Sequence, residues 1–197
     1  MSRHHRNLPL STIAWSRALC VTLACLTWVA GNAVAGPCER TADMPPHVPR
    51  LIVKGLPLPE YKRRAEQWRS YSETHPQSAL ALVELERALR YSRQIKSAEQ
   101  LAMMRQAVAA EPECALALDR LATLEFENTI WGDRSQVPKA RALAERALAA
   151  APDAWEPHQT LWMFDVVAGT GGDATTHMAA CLDKGAFASP LLDYAYN

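Results

Sequence analysis

From residue 59 onward, apolar and polar residues alternate in the pattern of amphipathic helices, and prolines interrupt the pattern at intervals. Proline at 59 and 138 favours the first turn of a helix, because its φ is fixed there and no donor is needed. Before Pro112 and Pro152 the chain is pushed out of the α region, so helices end there. The pattern predicts an all-α protein with helices over 59–74, 78–94, 97–110, 113–128, 137–150, 154–168, 173–184 and 187 to the end. Ser97 and Asp173 are predicted N-caps.

The helical region contains an internal repeat. Pro76 and Pro112 are each followed, three residues on, by the same tetrad Ala-Leu-Ala-Leu. In the copy that follows Pro152, Trp155 occupies the first position of this tetrad. A leucine stands nine residues after each of these prolines. The copies are separated by intervals of 36 and 40 residues, and a weaker fourth copy follows after 33. An insertion at 128–136 accounts for the longer interval. Such spacing indicates two-helix units that stack.

This repeat resembles the tetratricopeptide repeat family. The resemblance rests on three sets of positions: the conserved leucine, the small residue of the second helix and the bulky second-helix position. These are Leu85, Leu121 and Leu161; Ala107, Ala147 and Ala180; and Trp68 and Met104. The family's first-helix glycine or alanine is replaced by Glu86 and Trp162 in two units. The resemblance covers 59–197 and implies a short right-handed α-solenoid of antiparallel helix pairs, with an incomplete last repeat.

In this family the first helices line a concave groove that binds peptides or partner helices. The resemblance therefore implies a groove with a basic end, an acidic middle and an apolar end. The positions carried over are Arg87, Arg90, Tyr91, Asp119, Thr123, Phe126, Glu127, Glu156, Gln159, Met163 and Val166. Trp131 in the insertion is a second candidate contact, because tryptophan in a long loop often meets a partner.

Residues 1–35 have the composition of a secretory signal. A basic start precedes the apolar stretch 18–30, and Ala33-Val34-Ala35 supplies the small residues that signal peptidase requires. Cleavage before Gly36 would leave an exported, periplasmic protein. The alternative is an uncleaved anchor, since the uncharged run 18–35 is at the lower limit for a membrane span. Residues 36–58 form a proline-rich leader, expected to be extended and loosely docked, with the apolar run 51–53 along the domain.

Composition narrows the function classes further. A hydrophobic content of 49% is too high for a disordered chain. The 21 basic and 21 acidic side chains balance, so the nucleic-acid footprint of a basic patch is missing. Residues 1–35 hold three arginines and no acid, so the chain after cleavage has 18 basic and 21 acidic side chains. We therefore expect a mildly acidic protein that binds no nucleic acid and meets a membrane only through an uncleaved leader.

Cleavage also leaves three cysteines, Cys38, Cys114 and Cys181. In an oxidising compartment an odd number leaves at least one thiol free or paired between chains. Cys114 and Cys181 lie two repeats apart, on the order of 20 Å, which is too far for a disulfide. Cys38 lies on the leader and is able to reach either of the other two, so the pairing stays open.

Catalytic chemistry has little support in the sequence. His158 and His177 lack metal-ligand spacing, and His158 falls at a position where packing is expected. The glycine-rich turn 169–172 is not followed by the lysine and hydroxyl residue of a phosphate loop, and it lies between predicted helices rather than after a strand. Carboxylates also occur in pairs two residues apart, and these are expected to be solvated: Glu84 and Glu86, Glu111 and Glu113, and Glu125 and Glu127. We expect no metal, no cofactor and no enzyme activity.

The sequence predicts a non-catalytic scaffold of the cell envelope that binds a protein or peptide through its concave helical face. The alternative is an accessory or N-terminal repeat module of a larger envelope protein. The last repeat starts a first helix, over 189–197, and no second helix follows. That short helix is either a cap or the place where a longer protein continues.

Overall fold

The computed structural model describes residues 38–49, 55–130, 132–169 and 173–183. Across these ranges it contains helices and no β-strand, so the all-α prediction is confirmed. The helices are α1 (Leu58–Thr74), α2 (Ala79–Tyr91), α3 (Ser97–Ala110), α4 (Ala115–Ile130), α5 (Val137–Ala150), α6 (Glu156–Met163) and α7 (Ala174–Asp183). A 3-10 turn, Arg134–Gln136, precedes α5, and a π-helical turn, Phe164–Ala168, continues α6.

Several predicted features lie outside the described residues. They are the signal 1–35, the apolar run 51–53, Trp131 and the last helix from 187. Among the helices of the described ranges, none has both the length and the apolar character needed to cross a bilayer.

Most predicted helix ends agree with the structure. Pro59 and Pro138 lie in the first turns of α1 and α5. Asp173 accepts a hydrogen bond from the backbone N–H of Thr176 at 3.0 Å, as an N-cap does. The prediction for Ser97 is wrong by one position, because Lys96 precedes the helix and Ser97 is its first residue. The start of the insertion at 128–136 belongs to α4, which continues to Ile130 rather than ending at 128.

Each helix packs against the next one along the chain. In addition, α2 contacts α4, and α4 contacts α6. The buried apolar residues form three neighbouring clusters, between α1 and α2, among α2, α3 and α4, and among α4, α5 and α6. The repeated leucines Leu85, Leu121 and Leu161 belong one to each cluster and are all buried. The hydrophobic interior is therefore distributed along the chain of helices.

Residues 38–49 run across α1 and α2, and we call this segment the strap. It contains a turn in which Met44 N–H donates to the carbonyl of Thr41 at 3.3 Å. Val48 is completely buried among side chains of α1 and α2. The expectation of a loosely docked leader is therefore wrong for this part of it.

Candidate functional site

The residues predicted to line a groove are mostly interior residues or helix-contact residues. Arg87, Asp119, Phe126 and Gln159 are buried, with exposed fractions of 5%, 4%, 2% and 8%. Arg90, Tyr91 and Met163 are half-buried, and Glu127 is exposed. Trp131 lies outside the described residues. The structure thus corrects the expectation of an open groove at the four buried positions.

Phe126 shows why. Its ring meets that of Phe164 edge to face, with centroids 4.6 Å apart. Both rings belong to the apolar cluster among α4, α5 and α6. An aromatic side chain at a core-facing helical position buries more apolar area by packing between helices than by facing solvent.

The carboxylates of Glu84 and Glu86 are buried, each residue 1% exposed. The expectation that this pair is solvated is wrong. The two side chains leave α2 in different directions and find different cations. A buried charge requires such a partner, because its desolvation is otherwise too costly.

Glu84 is the centre of the strap contact. Its Oε2 accepts the backbone N–H of Val48 at 2.8 Å, and its Oε1 lies 2.7 Å from His47 Nδ1. Arg87 donates to the same Oε1 at 2.9 Å. Burial opposes ionisation of Glu84, but the hydrogen bond from His47 and the charges of Arg87 and His47 outweigh it and lower the pKa of this carboxyl.

Three consecutive carbonyl oxygens of the strap accept hydrogen bonds from helix side chains. Trp68 Nε1 donates to Pro46 at 3.1 Å, and Arg87 Nη1 donates to Val48 at 3.2 Å. Between them, Arg64 Nη1 donates to the carbonyl of His47. The helices therefore hold this segment mainly through its main chain.

The other end of the strap is fixed covalently. Cys38 forms a disulfide with Cys114, with Cα atoms 5.3 Å apart. Glu111 accepts two backbone N–H groups, from Cys38 at 3.0 Å and from Ala79 at 2.8 Å. The pairing that the sequence left open is therefore Cys38 with Cys114, and Cys181 is a free, buried thiol.

Cys38, Glu111 and Cys114 bring three potential metal-ligand atoms within 4.8 Å of one another. In this structure the two sulfur atoms are bonded to each other, and both oxygens of Glu111 accept amide hydrogens. The cluster is therefore used for anchoring the strap.

Glu86 connects α2 to α4. Arg120 donates to it from Nε at 3.1 Å and from Nη2 at 2.7 Å, and Arg120 Nη2 also donates to Gln100 Oε1 at 3.1 Å. Arg90, one of the predicted groove residues, lies over the ring of Tyr91 and 3.7 Å from Glu86. The basic end of the predicted groove is in this way part of a buried ion network.

A second polar connection joins α4 to α6. Thr160 donates to Asp119 Oδ1 at 2.6 Å, and both residues are buried. The acidic middle of the predicted groove is therefore used, at Asp119, to connect two helices. Glu127 remains accessible and, with Ser97, Leu124, Asn128 and Gly132, lines a cavity of about 340 Å³.

Two histidines meet where α6 packs on α7. His158 Nδ1 and His177 Nδ1 are 3.0 Å apart, so one ring donates to the other. His177 Nε2 also lies 4.0 Å from Asp165, which forms an ion pair with Arg141. This arrangement agrees with the expected packing role of His158 and adds a polar partner for it.

Sequence reasoning missed the residues that hold the strap. Arg64 was not singled out, Trp68 was assigned only to packing and Glu84 only to solvent. The available signal was indirect: a proline-rich stretch, 45–49, with one apolar β-branched residue, Val48, is followed by a helix that carries arginines and a tryptophan.

Comparison of the sequence with protein-family models gives no match, and comparison with curated proteins gives none either.

Proposed function

We propose that this protein is a non-catalytic binding protein that holds an extended segment of a partner protein on the face formed by α2, α4 and α6. The supporting observation is the strap: α1 and α2 already bind, through its main chain, a segment of this chain that has no regular secondary structure. Extended peptides bound in this manner obtain affinity from main-chain hydrogen bonds and specificity from side-chain pockets.

We further propose that the helices form stacked two-helix repeats similar to tetratricopeptide repeats. Two observations and one physical argument support this. Contacts occur between alternate helices, from α2 to α4 and from α4 to α6. The apolar clusters follow one another along the chain, and each contains one of the repeated leucines. Stacking is needed because one helix pair cannot bury its apolar stripe alone.

We also propose that the chain is exported and that its leader is removed before Gly36. The Cys38–Cys114 disulfide supports this, because such bonds persist in oxidising compartments. Mass spectrometry of the protein purified from the cell envelope tests it. A mass corresponding to residues 36–197 is expected, and a retained leader would instead support the anchored alternative.

Cross-linking and affinity capture of the exported protein tests the binding proposal. Glu127→Lys changes an accessible charge beside the cavity on α4. Glu113→Lys is the matched control, because Glu113 is 70% exposed and lies in the turn before α4. We expect Glu127→Lys to reduce the cross-linked partner several-fold and Glu113→Lys to leave it unchanged. Equal capture by both variants and the wild type would show that this face does not bind the partner.

A further inference from the structure

The place where the strap contacts α1 and α2 is built from four side chains, Arg64, Trp68, Glu84 and Arg87, which we call the strap site. Glu84 and Arg87 are buried, and so is Trp68. Such groups in a helical protein usually bond within or between helices. Here each of the four also forms a hydrogen bond with the main chain of a segment without regular secondary structure.

The strap site offers three donors and one carboxylate acceptor to the main chain. The donors of Trp68, Arg64 and Arg87 meet three successive carbonyl oxygens, whereas Glu84 meets a single N–H group, that of Val48. A segment that binds here must present carbonyl oxygens to three donors, and the site offers only one acceptor for the segment's own N–H groups. Proline has a carbonyl and no N–H, so a proline-rich segment satisfies the donors of the site and has few N–H groups of its own that need an acceptor.

The sequence that occupies the strap site has this composition. Residues 45–49 are Pro-Pro-His-Val-Pro. The prolines restrict the free segment to extended conformations, which reduces the entropy lost on binding. Val48 enters the apolar cluster, where it is completely buried, and Met44 of the strap packs against the same cluster from a partly buried position. A β-branched side chain such as that of Val48 suits an extended backbone.

We propose that the strap site is a binding site for an extended, proline-flanked segment of a partner protein with a β-branched aliphatic residue at the buried position. The chain's own residues 46–48 fill the site in this structure. The assignment rests on the proposed function and names its ligand class. The disulfide at Cys38 keeps the strap close to the site, and tethering gives the internal segment a large advantage over any free competitor.

A peptide-replacement experiment with the full chain tests the assignment. The variant C38S/C114S/V48D removes the tether and places a carboxylate where the apolar cluster excludes it. A fluorescent peptide with the sequence of residues 42–49 is then titrated and its anisotropy measured. We expect saturable binding to the variant and none to the oxidised wild type, whose site is filled.

The control peptide differs only by aspartate in place of valine at the position of Val48. We expect its binding to be at least ten-fold weaker. Equal binding of both peptides, or no binding of either one, overturns the proposal. Dimers of the variant held together by strap exchange would make the natural occupant a second copy of this chain, and that result also overturns it.

Circular dichroism checks that the triple variant keeps its helices. If the triple variant loses its helices, the double variant C38S/C114S, which retains Val48, provides a second test by hydrogen exchange. The amide of Val48 is expected to exchange at least ten-fold faster when millimolar peptide displaces the strap, while amides of α4 are unchanged. Unaltered exchange at Val48 overturns the proposal. If the strap-site experiments fail while Glu127→Lys reduces capture of the partner, only the strap site is rejected and the proposed binding face on α4 stands.

Discussion

Arg120 donates from two nitrogens to the carboxylate of Glu86, at 3.1 Å and 2.7 Å, and so joins α4 to α2 across 34 residues of sequence. The two side chains are 13% and 1% exposed. Burial opposes the charge of Arg120, but the nearby carboxylate of Glu86 outweighs burial and raises the arginine pKa. The contact is shielded from water, and removal of one partner from such a buried ion pair leaves the charge of the other without compensation.

Substitution of this arginine alone should destabilise the protein strongly. Arg120→Met leaves the Glu86 carboxylate buried without its bidentate partner, and we expect a loss of about 3–5 kcal/mol in the free energy of unfolding. Urea denaturation followed by circular dichroism measures it. The double variant E86L/R120M removes both charges and should recover most of the loss. A double variant as unstable as R120M would mean that the ion pair itself, rather than the orphaned charge, stabilises the contact.

The contact at Glu84 should weaken in acid. Its pKa is lowered from the ordinary value of 4.5. A lowered folded-state pKa adds stability that is fully present above pH 4.5 and is lost as the pH falls through the folded-state pKa. At pH 6 we expect Glu84→Gln to unfold about 1.5–3 kcal/mol more easily than the wild type, since hydrogen bonds to a charged group are lost. This difference should shrink steadily below pH 4.5.

Urea midpoints for the wild type and the variant over pH 3–6 measure this effect. Glu113→Gln, at an exposed position, is the matched control and should follow the wild type throughout. A constant difference between wild type and Glu84→Gln across this range would contradict a stabilising role for the ionised carboxylate.

Phe126 should behave as a core residue. Phe126→Ala leaves a cavity against Phe164, and we expect a loss of about 3–5 kcal/mol. Glu127→Ala, at the adjacent exposed position, should change stability by less than about 0.5 kcal/mol. Thermal denaturation of the two variants compares them directly. If Phe126 lined an open groove, as the sequence suggests, its substitution would be nearly as mild as that of Glu127.

Cys181 should react slowly with thiol reagents in the folded protein. Burial raises its pKa to about 11, with further contributions from the charges of Glu156 and Asp119. At pH 8 only about one thiol in a thousand is then ionised, and the thiolate is the reactive form. Alkylation with iodoacetamide, followed by mass spectrometry of the peptide that contains Cys181, should be about a hundred-fold slower than in urea. Equal rates would place this thiol at the surface.

The helices were predictable because local signals and apolar spacing agree along most of the chain. The helices α3 and α5 end at Ala110 and Ala150, as predicted, two residues before Pro112 and Pro152. Leu85, Leu121 and Leu161 were identified from their spacing alone, and each is buried. Such features depend on the nearest residues in sequence, which a single sequence displays.

The polar contacts were not predictable in the same way. A glutamate on a helix is usually solvated, and the residues that keep Glu84 and Glu86 buried come from the strap and from α4. Cys38 had two candidate partners, and only the position of the strap selects Cys114. The groove residues were placed by analogy with a family whose concave face is open, whereas here Arg87 is buried and donates to the carbonyl of Val48.

The disulfide between Cys38 and Cys114 also determines how the molecule would respond to a mechanical load. The bond spans 76 residues and joins the strap to the start of α4. A pull applied to the chain before Cys38 passes through the sulfur atoms directly to α4. The three helices α1, α2 and α3 lie inside the closed loop, so the pull does not stretch them directly until that one covalent bond is cut.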